Sequence, residues 1–306
     1  MILMCKNTEV YDIKNKTILS KELIPRSMLY DMTFEDWTKH RKSVLSNETA
    51  RLLYFTAFGH ENEEVEIKKT RMLSLSDCYW TKERNENILF ENISPYCTDF
   101  WKGFDENYNE GAIPTLYLSG SINKYWLDNK HFFKEKCKIE LLAYELAGQL
   151  NVPCNKITEL TENGREGIVI TNFTDINNMF EPAACTGKFK NTFFASHYDV
   201  EMEFGDSGLT MIAFDAITGN IDRHIENFGY IRDSNTGEYL KMAPLFDFNL
   251  ILGATGHNDY LIKNVPNNEI TKELCYKTLE KSNNEIFKFR AKSIIERYYE
   301  LPTVAF

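Results

Sequence analysis

The part of the sequence that decides the fold is residues 208–230, GLTMIAFDAITGNIDRHIENFGY, in which an apolar segment leads into a short polar loop. The apolar segment predicts a helix that ends at Gly219, because glycine is the usual residue just past a helix C-terminus. The loop then places an aspartate, an arginine, a histidine and an asparagine within six positions. Such a set of polar groups predicts either a solvated turn or a loop that positions reacting groups.

Two residues of the loop have a spacing with chemical meaning. Asp222 and Asn227 lie five positions apart, which is the spacing in the catalytic loop of protein kinases. There the aspartate accepts the proton of the acceptor hydroxyl and the asparagine reaches a magnesium ion. An Asp–Asn pair at this spacing also arises by chance, so the spacing alone leaves the solvated turn open.

A second motif follows the loop. PLFDFN, residues 244–249, places Asp247 between large apolar residues after a predicted hairpin. A carboxylate in such a frame is costly to bury unless it is paired or metal-bound. The order of polar loop, hairpin and aspartate therefore favours phosphoryl transfer over a solvated turn.

The other polar residues of the loop have simpler interpretations. His224 could act as a base, but we favour a structural histidine whose ring bonds to the backbone and holds the loop. Arg223 and Glu226 are expected to be solvated or salt-bridged.

Composition limits the classes of function. The chain has 306 residues and a formal net charge of −10, which argues against direct binding of nucleic acid. Seven irregularly spaced cysteines without a CxxC pair predict reduced thiols in the cytoplasm rather than a zinc ribbon. No segment reaches about 18 uninterrupted apolar residues, so no membrane span is predicted.

Periodicity and turn signals predict an α+β chain. Residues 71–83 are expected to be irregular and residues 101–114 to be a linker. The predicted elements are a strand pair in 1–20, a helix in 33–57 with Thr33 as its N-cap, short antiparallel strands in 115–136, a helix in 137–153, a hairpin in 156–173, a hairpin in 228–248 and one or two helices in 268–301.

Two stretches resemble the HipA-like serine/threonine kinases of bacteria and their phages: DRHIENFG at 222–229 and APLFDFN at 243–249. That family carries a D-x-H-x-x-N-F-[SG] loop followed by a P-x-[YF]-D metal motif. LSLSDCYW at 73–80 and the W-x-x-H-R segment at 37–41 resemble a subgroup from low-GC Gram-positive bacteria. Further upstream, SGSINKYW (119–126) resembles the nucleotide loop, HFFKEK (131–136) the lysine strand, IELLAYELAGQLNVP (139–153) the helix that follows, and IVITNFTD (168–175) the strand and hinge at the adenine.

The resemblance implies a set of site residues. It makes Asp222 the catalytic aspartate, and Asn227 and Asp247 the ligands of Mg²⁺. It also makes Lys134 the contact to the phosphates of ATP, with Glu140 as its orienting partner. The remaining nucleotide contacts that it implies are Ser119, Gly120 and Ser121 in the phosphate-covering turn, and Thr171 and Phe173 at the adenine.

Several points stay open from the sequence. Lys136 competes with Lys134, since we expect both on the same side of the strand. In the family a serine of the nucleotide loop can be autophosphorylated, and either Ser119 or Ser121 could serve. The loop has a single glycine and no Walker G-x-x-x-x-G-K-[ST] motif, so a Walker-type phosphate loop is excluded.

The resemblance implies a protein-kinase-like two-lobed fold, with a small, mostly antiparallel-sheet N-lobe and a mainly helical C-lobe. Residues 1–110 would form an N-terminal subdomain packed on the kinase core, residues 111–175 the N-lobe and residues 176–306 the C-lobe.

The activity implied is transfer of the ATP γ-phosphoryl group to a serine or threonine hydroxyl of a protein. Some HipA-like kinases are toxins that pair with an antitoxin, so an antitoxin-like partner is a further expectation. The alternatives are a kinase-fold enzyme acting on a small molecule or lipid head group, and a nucleotide-binding pseudokinase that serves as an interaction module.

Overall fold

Antiparallel sheets and helices both contribute to the fold, as the sequence predicts. The structure is a computed structural model, which describes residues 1–41, 71–98, 124–162, 164–189, 194–253 and 260–299. The chain divides into two compact units. We call them the sheet unit (Met1–Lys136, Leu160–Lys190 and Gly229–Lys241) and the helical unit (Cys137–Glu159, Asn191–Phe228 and Met242–Phe306).

Three sheets contain the described strands. Their orders are β3-β2-β1-β4, β5-β6-β8-β7 and β11-β10-β9, and the pairs with a defined register are antiparallel. The strands are β1 (Ile2–Cys5), β2 (Thr8–Asp12), β3 (Thr17–Ile18), β4 (Tyr79–Lys82), β5 (Lys124–Trp126), β6 (His131–Glu135), β7 (Ile157–Glu162), β8 (Arg165–Thr171), β9 (Asn178–Pro182), β10 (Gly229–Asp233) and β11 (Tyr239–Met242).

The predicted hairpins are confirmed, because the strands on either side of each predicted turn are neighbours in a sheet. Two of the turns show the side-chain chemistry that short connections need. The predicted turn at 128–129 joins β5 to β6, where the Asp128 carboxylate accepts the backbone N–H groups of Lys130 and His131. In the turn between β10 and β11, Asp233 accepts from Asn235 and Thr236 in the same way. A carboxylate that bonds the backbone two and three residues on is a standard turn former.

Seven α-helices lie in the described residues, and side-chain caps begin several of them. The Thr33 hydroxyl accepts the Asp36 N–H, as predicted, and Ser196, Asn268 and Asn284 cap three further helices in the same way. The helices are α1 (Phe34–His40), α2 (Phe90–Ile93), α3 (Ile139–Leu150), α4 (His197–Thr218), α5 (Tyr260–Asn264), α6 (Glu269–Lys281) and α7 (Glu285–Tyr298).

Two predictions of local structure were wrong. Residues 71–83, expected to be irregular, contain β4, whose pairing with β1 comes from far away in the sequence. Helix α4 begins at His197 and not near residue 208. Its N-terminal half is polar and is interrupted at Gly205, so it lacks the apolar periodicity that marks the second half.

Other predictions lie wholly or partly outside the described residues: the end of the helix in 33–57, the linker at 101–114 and residues 115–123 of the strands in 115–136. No helix in the described part of the chain combines the length and apolarity needed to cross a membrane.

Candidate active site

The polar loop begins where α4 ends, in the helical unit. Gly219 adopts the left-handed conformation, with φ 69° and ψ 34°, and closes the helix. The Asn220 N–H donates to the Asp215 carbonyl at 3.0 Å, and the Leu252 N–H donates to the Thr218 carbonyl at 2.9 Å. The start of the loop is therefore fixed to the last turn of a buried helix.

A buried ion pair lies behind the loop. The guanidinium of Arg223 donates twice to the Asp215 carboxylate, from Nε at 2.9 Å and from Nη2 at 3.1 Å. The Nδ2 of Asn220 donates to the same carboxylate at 2.9 Å. Both charged side chains are buried. Burial disfavours the charge on Arg223, but nearby acidic groups, first among them the Asp215 carboxylate and then Asp247, raise the arginine pKa above its usual value.

The third nitrogen of Arg223 joins the two motifs. Its Nη1 donates to the backbone carbonyl of Asn227 at 2.9 Å and to that of Phe246 at 2.7 Å. Asn227 ends the catalytic-loop motif, and Phe246 directly precedes Asp247. One guanidinium thus holds together the two backbone segments that carry the predicted metal ligands.

The amide of Asn227 has a fixed orientation. It is buried, and its Nδ2 donates to the backbone carbonyl of Asp222 at 3.1 Å. This bond spans the five-residue spacing that the sequence singled out. Since Nδ2 is engaged with the loop, the Oδ1 is the atom of this amide suited to a hard cation.

Asp247 lies at a strained backbone position beside a buried ring. Its φ is 59°, which is uncommon for a residue with a side chain and recurs at functional sites. The next residue, Phe248, packs edge-on against Phe214, and the guanidinium of Arg223 lies over its ring. The Phe248 N–H donates to the Glu140 carboxylate at 3.2 Å, so α3 also supports this position.

His224 has the structural contact that the sequence predicted. Its Nδ1 accepts the backbone N–H of Glu226 at 3.3 Å. Its own backbone N–H donates to the Asp222 carbonyl at 2.9 Å, and the Asn227 N–H donates to the His224 carbonyl at 2.8 Å. The histidine therefore lies at the centre of the turn between the two predicted functional residues.

The donor set fits magnesium. One carboxylate oxygen and one amide oxygen suit a hard cation, and Mg²⁺ usually takes few protein ligands beside water and substrate phosphates. Among the described residues there is no cluster of three or more His, Cys, Asp or Glu side chains that could hold a metal. Asn227 and Asp247 therefore stay predicted ligands, and such a pair would share the cation with water and substrate phosphates.

The competing lysines have different environments in the sheet unit. Lys134 lies in β6 opposite Ile168 of β8 and is only 2% exposed. Lys136 lies beyond the end of β6, with φ 59° and a side chain that is 84% exposed. The expectation that both lysines share one side of the strand was therefore wrong. A buried lysine needs a partner for its charge, and its side chain is held in place by that partner. Lys134 therefore has a more restricted side chain than the exposed Lys136.

The other predicted nucleotide contacts are placed only in part. Thr171 ends β8 opposite His131, and the ring of Phe173 packs edge-on against Phe180. Both belong to the sheet unit. Ser119, Gly120 and Ser121 lie outside the described residues.

Sequence reasoning missed Asp215, and Arg223 was given no defined role. The guanidinium is salt-bridged, as expected, but it is buried and central to the site. A signal was present in MIAFDAITG, residues 211–219, where Asp215 is the single charge in an apolar helix. Such a carboxylate predicts a buried partner of opposite charge. The sequence does not show which basic side chain is that partner.

Comparison with known proteins gives a fold and no family. No family model matches the chain, and no curated protein matches it significantly in sequence. The chain is similar to HipA in a Shewanella oneidensis complex of HipA, HipB and operator DNA, with a TM-score of 0.57 and 10% identity over 97% of this chain and 96% of that one. The chain shares the fold of HipA.

A second match is weaker. The Helicobacter pylori proinflammatory kinase CtkA is similar at a TM-score of 0.37 and 16% identity, over 58% of this chain and 91% of that one. Such a score is too low to imply a common fold. The match to HipA alone confirms the kinase-like α+β fold class predicted from the sequence.

Proposed function

We propose that the protein is an ATP-dependent kinase that transfers the γ-phosphoryl group to a serine or threonine hydroxyl of a protein. The observation that carries the proposal is the double hydrogen bond from Arg223 Nη1 to the carbonyls of Asn227 and Phe246. It holds the catalytic-loop motif beside the residue that precedes Asp247. The HipA fold is consistent with this chemistry, but a fold alone does not define an activity.

The proposal gives three residues of the helical unit defined roles. Asp222 is partly exposed and would accept the proton of the acceptor hydroxyl as the new O–P bond forms. The bond between the γ-phosphorus and the bridging oxygen breaks in the same step, and that oxygen leaves with ADP. Asn227 and Asp247 would hold Mg²⁺, which when bound neutralises the charge of the phosphates. Phosphoryl transfer depends on placement and charge neutralisation more than on covalent help from the protein. A loop fixed by a buried ion pair supplies that placement.

The nucleotide and partner assignments belong to the same proposal. Lys134 would contact the ATP phosphates, Ser119–Ser121 would cover them, and Thr171 and Phe173 would meet the adenine. Glu140 was expected to orient Lys134, and its bond to the Phe248 N–H adds a role in holding the metal-binding segment. By analogy with HipA in its complex with HipB, we also propose an antitoxin-like partner. The irregularly spaced cysteines support a cytoplasmic location, and the segments at 37–41 and 73–80 support membership of the low-GC Gram-positive subgroup.

Incubation with labelled ATP and magnesium tests the proposal. The purified wild type is compared with Asp222→Asn and Asp247→Asn, and label is followed in protein, lipid and small-molecule fractions. Asp206→Asn, at an exposed position of α4, is the matched control for loss of one carboxylate. We expect label in protein, a loss of at least about 100-fold in both site variants, and wild-type activity in the control.

Other outcomes would contradict the proposal in different ways. Label in lipid or a soluble metabolite, and not in protein, would show a different acceptor class. ATP binding without any transfer would show a pseudokinase. Transfer that persists in both site variants would place the chemistry elsewhere in the chain.

A further inference from the structure

A cavity of about 490 Å³ adjoins the loop on the helical unit. Asn220, Ile221 and Arg223 contribute to its wall, so the cavity includes both sequence neighbours of Asp222. Its volume falls within the range of ligand-binding pockets.

The mouth of the cavity is apolar and open to solvent. Phe194 is 55% exposed, Ile221 is 48% exposed and Tyr260 is 72% exposed, and all three line the cavity. Large apolar side chains exposed together around one opening are typical of binding sites. The inner wall adds Val200, Met211 and Phe228, which are buried.

Three polar side chains of the cavity wall are engaged with one another. The carboxylate of Asp215 is balanced by Arg223, and Asn220 donates to the same carboxylate. His197 also lines the cavity. Burial lowers the pKa of its imidazole below the usual value, so this ring is neutral near pH 7. The wall therefore has no net charge to attract a phosphorylated head group or an acidic segment.

We propose that this cavity binds a large uncharged side chain of the protein acceptor, close in sequence to the serine or threonine that receives the phosphoryl group. The inference rests on the proposed kinase function, since it takes Asp222 as the residue beside the acceptor hydroxyl. Each residue of an extended peptide spans about 3.3 Å. Because Ile221 and Arg223 flank Asp222, the bound side chain lies within a few residues of the phosphorylated one. The cavity thus makes the enzyme prefer acceptors with leucine, methionine or an aromatic residue at one position.

Peptide arrays test this inference directly. Each peptide has one central serine or threonine, and each flanking position in turn carries leucine, phenylalanine, alanine, aspartate or lysine. We expect the wild type to phosphorylate peptides with leucine or phenylalanine at one position about 10-fold faster than those with alanine, which is the discrimination an apolar pocket can give. Aspartate and lysine at that position are expected to be worse than alanine.

A variant that fills the cavity then links the preference to this site. Ala195 lies just before α4 and contributes to the wall, so Ala195→Trp places a large ring in the cavity from outside the helix. We expect it to abolish the preference by raising KM for the preferred peptides, while their kcat changes less. Tyr198→Trp is the matched control, because Tyr198 is exposed and is not part of the cavity wall.

The possible outcomes distinguish failure of the side-chain-binding proposal from failure of the proposed kinase activity. Peptide phosphorylation without an apolar preference, or a preference that Ala195→Trp leaves intact, would contradict the proposal that the cavity binds an acceptor side chain. Neither result would contradict the proposed kinase activity. A wild type that labels itself but no peptide would also overturn the pocket alone. Absence of any transfer from ATP would overturn the kinase and the pocket together. If Ala195→Trp fails to fold, the wild-type array still decides whether the preference exists.

Discussion

At the scale of single residues, the candidate site depends on one arginine with several acceptors. Arg223 bonds the Asp215 carboxylate and two backbone carbonyls, a pattern that needs the planar fork of a guanidinium. Lysine has a similar charge but a single nitrogen, so it cannot span the same acceptors. The geometry of the loop therefore requires arginine itself and not merely a positive charge.

We expect Arg223→Lys to lower kcat at least about 10-fold, since the Asn227 and Asp247 segments lose their shared donor. The free energy of unfolding should fall by about 1–3 kcal/mol, because buried acceptors are left without a partner. Denaturant unfolding and steady-state kinetics measure the two effects. Arg165→Lys, on an exposed position of β8, is the control and should stay within about 0.5 kcal/mol of the wild type. Wild-type kcat in Arg223→Lys would show that the fork is not needed.

His224 offers a second residue-scale prediction. Its Nδ1 is an acceptor for the Glu226 N–H, and an asparagine Oδ1 can accept a similar bond from the same position. We expect His224→Ala to lower activity by up to about 10-fold, in line with the loss of one hydrogen bond, and His224→Asn to recover most of it. If both variants lose activity equally, the ring has a chemical role that asparagine cannot supply.

How much of the site the sequence predicts depends on whether a contact is local. Asp222 and Asn227 lie within one loop, and their spacing identified both as candidate site residues, although it did not predict the Asn227 Nδ2 bond to the Asp222 carbonyl. The bond from Arg223 to the Phe246 carbonyl joins segments separated by a hairpin. No periodicity or spacing rule specifies such a contact, so the central role of Arg223 required the structure.

At the scale of elements, helix α4 contains a break that the sequence marks only by a glycine. Gly205 has φ 55° and ψ −135°, a conformation that residues with a Cβ atom rarely adopt. A Cβ at this position would meet no other atom within 4 Å. Any cost of substitution there therefore comes from backbone strain and not from a steric clash.

We expect Gly205→Ala to lower the free energy of unfolding by about 1–3 kcal/mol. Gly148, within α3, is the matched control, since a Cβ there also meets no atom within 4 Å and its backbone is helical. Gly148→Ala should raise stability by about 0.5–1 kcal/mol, because alanine is the better helix former. Equal effects of the two changes on denaturant unfolding would contradict the strain at Gly205.

The sequence predicts elements best where local chemistry decides them. Two turns and one helix cap were predicted correctly, those at Asp128, Asp233 and Thr33. Each of these side chains bonds backbone groups two or three residues away. Strand β4 was missed, since it is defined by its pairing with β1. The start of α4 was also missed, although Ser196 accepts the Asp199 N–H in the manner of an N-cap.

At the scale of the whole molecule, the N-terminal residues form part of the sheet unit and not an appendage. The hydrophobic core of β1, β2 and β4 includes Met179 of β9 and Cys185. Arg232 of β10 is fully buried and ion-paired with Glu181. Its other acceptors are the Gly237 carbonyl, the Tyr79 hydroxyl and the carbonyls of Glu22 and Ile24.

This arrangement predicts that residues 1–110 cannot be removed. In a fragment of residues 111–306, Arg232 would lose the Tyr79 hydroxyl and both N-terminal carbonyls while the guanidinium remained in an apolar setting. Loss of partners from a buried charge costs several kcal/mol, in addition to the exposed core around Met179. We expect the fragment to lack a cooperative thermal transition and to aggregate.

Two comparisons distinguish this cause from a general effect of shortening the chain. Tyr79→Phe in the intact chain removes one acceptor of Arg232 and should lower the free energy of unfolding by about 1–3 kcal/mol without abolishing the transition. Co-expression of residues 1–110 with 111–306 should restore a folded complex, because every lost partner is then supplied in trans. A sharp transition in residues 111–306 alone would show that the segment from β5 onward forms its own core. The N-terminal residues would then be a separable domain, and Arg232 would have to find other acceptors within the fragment.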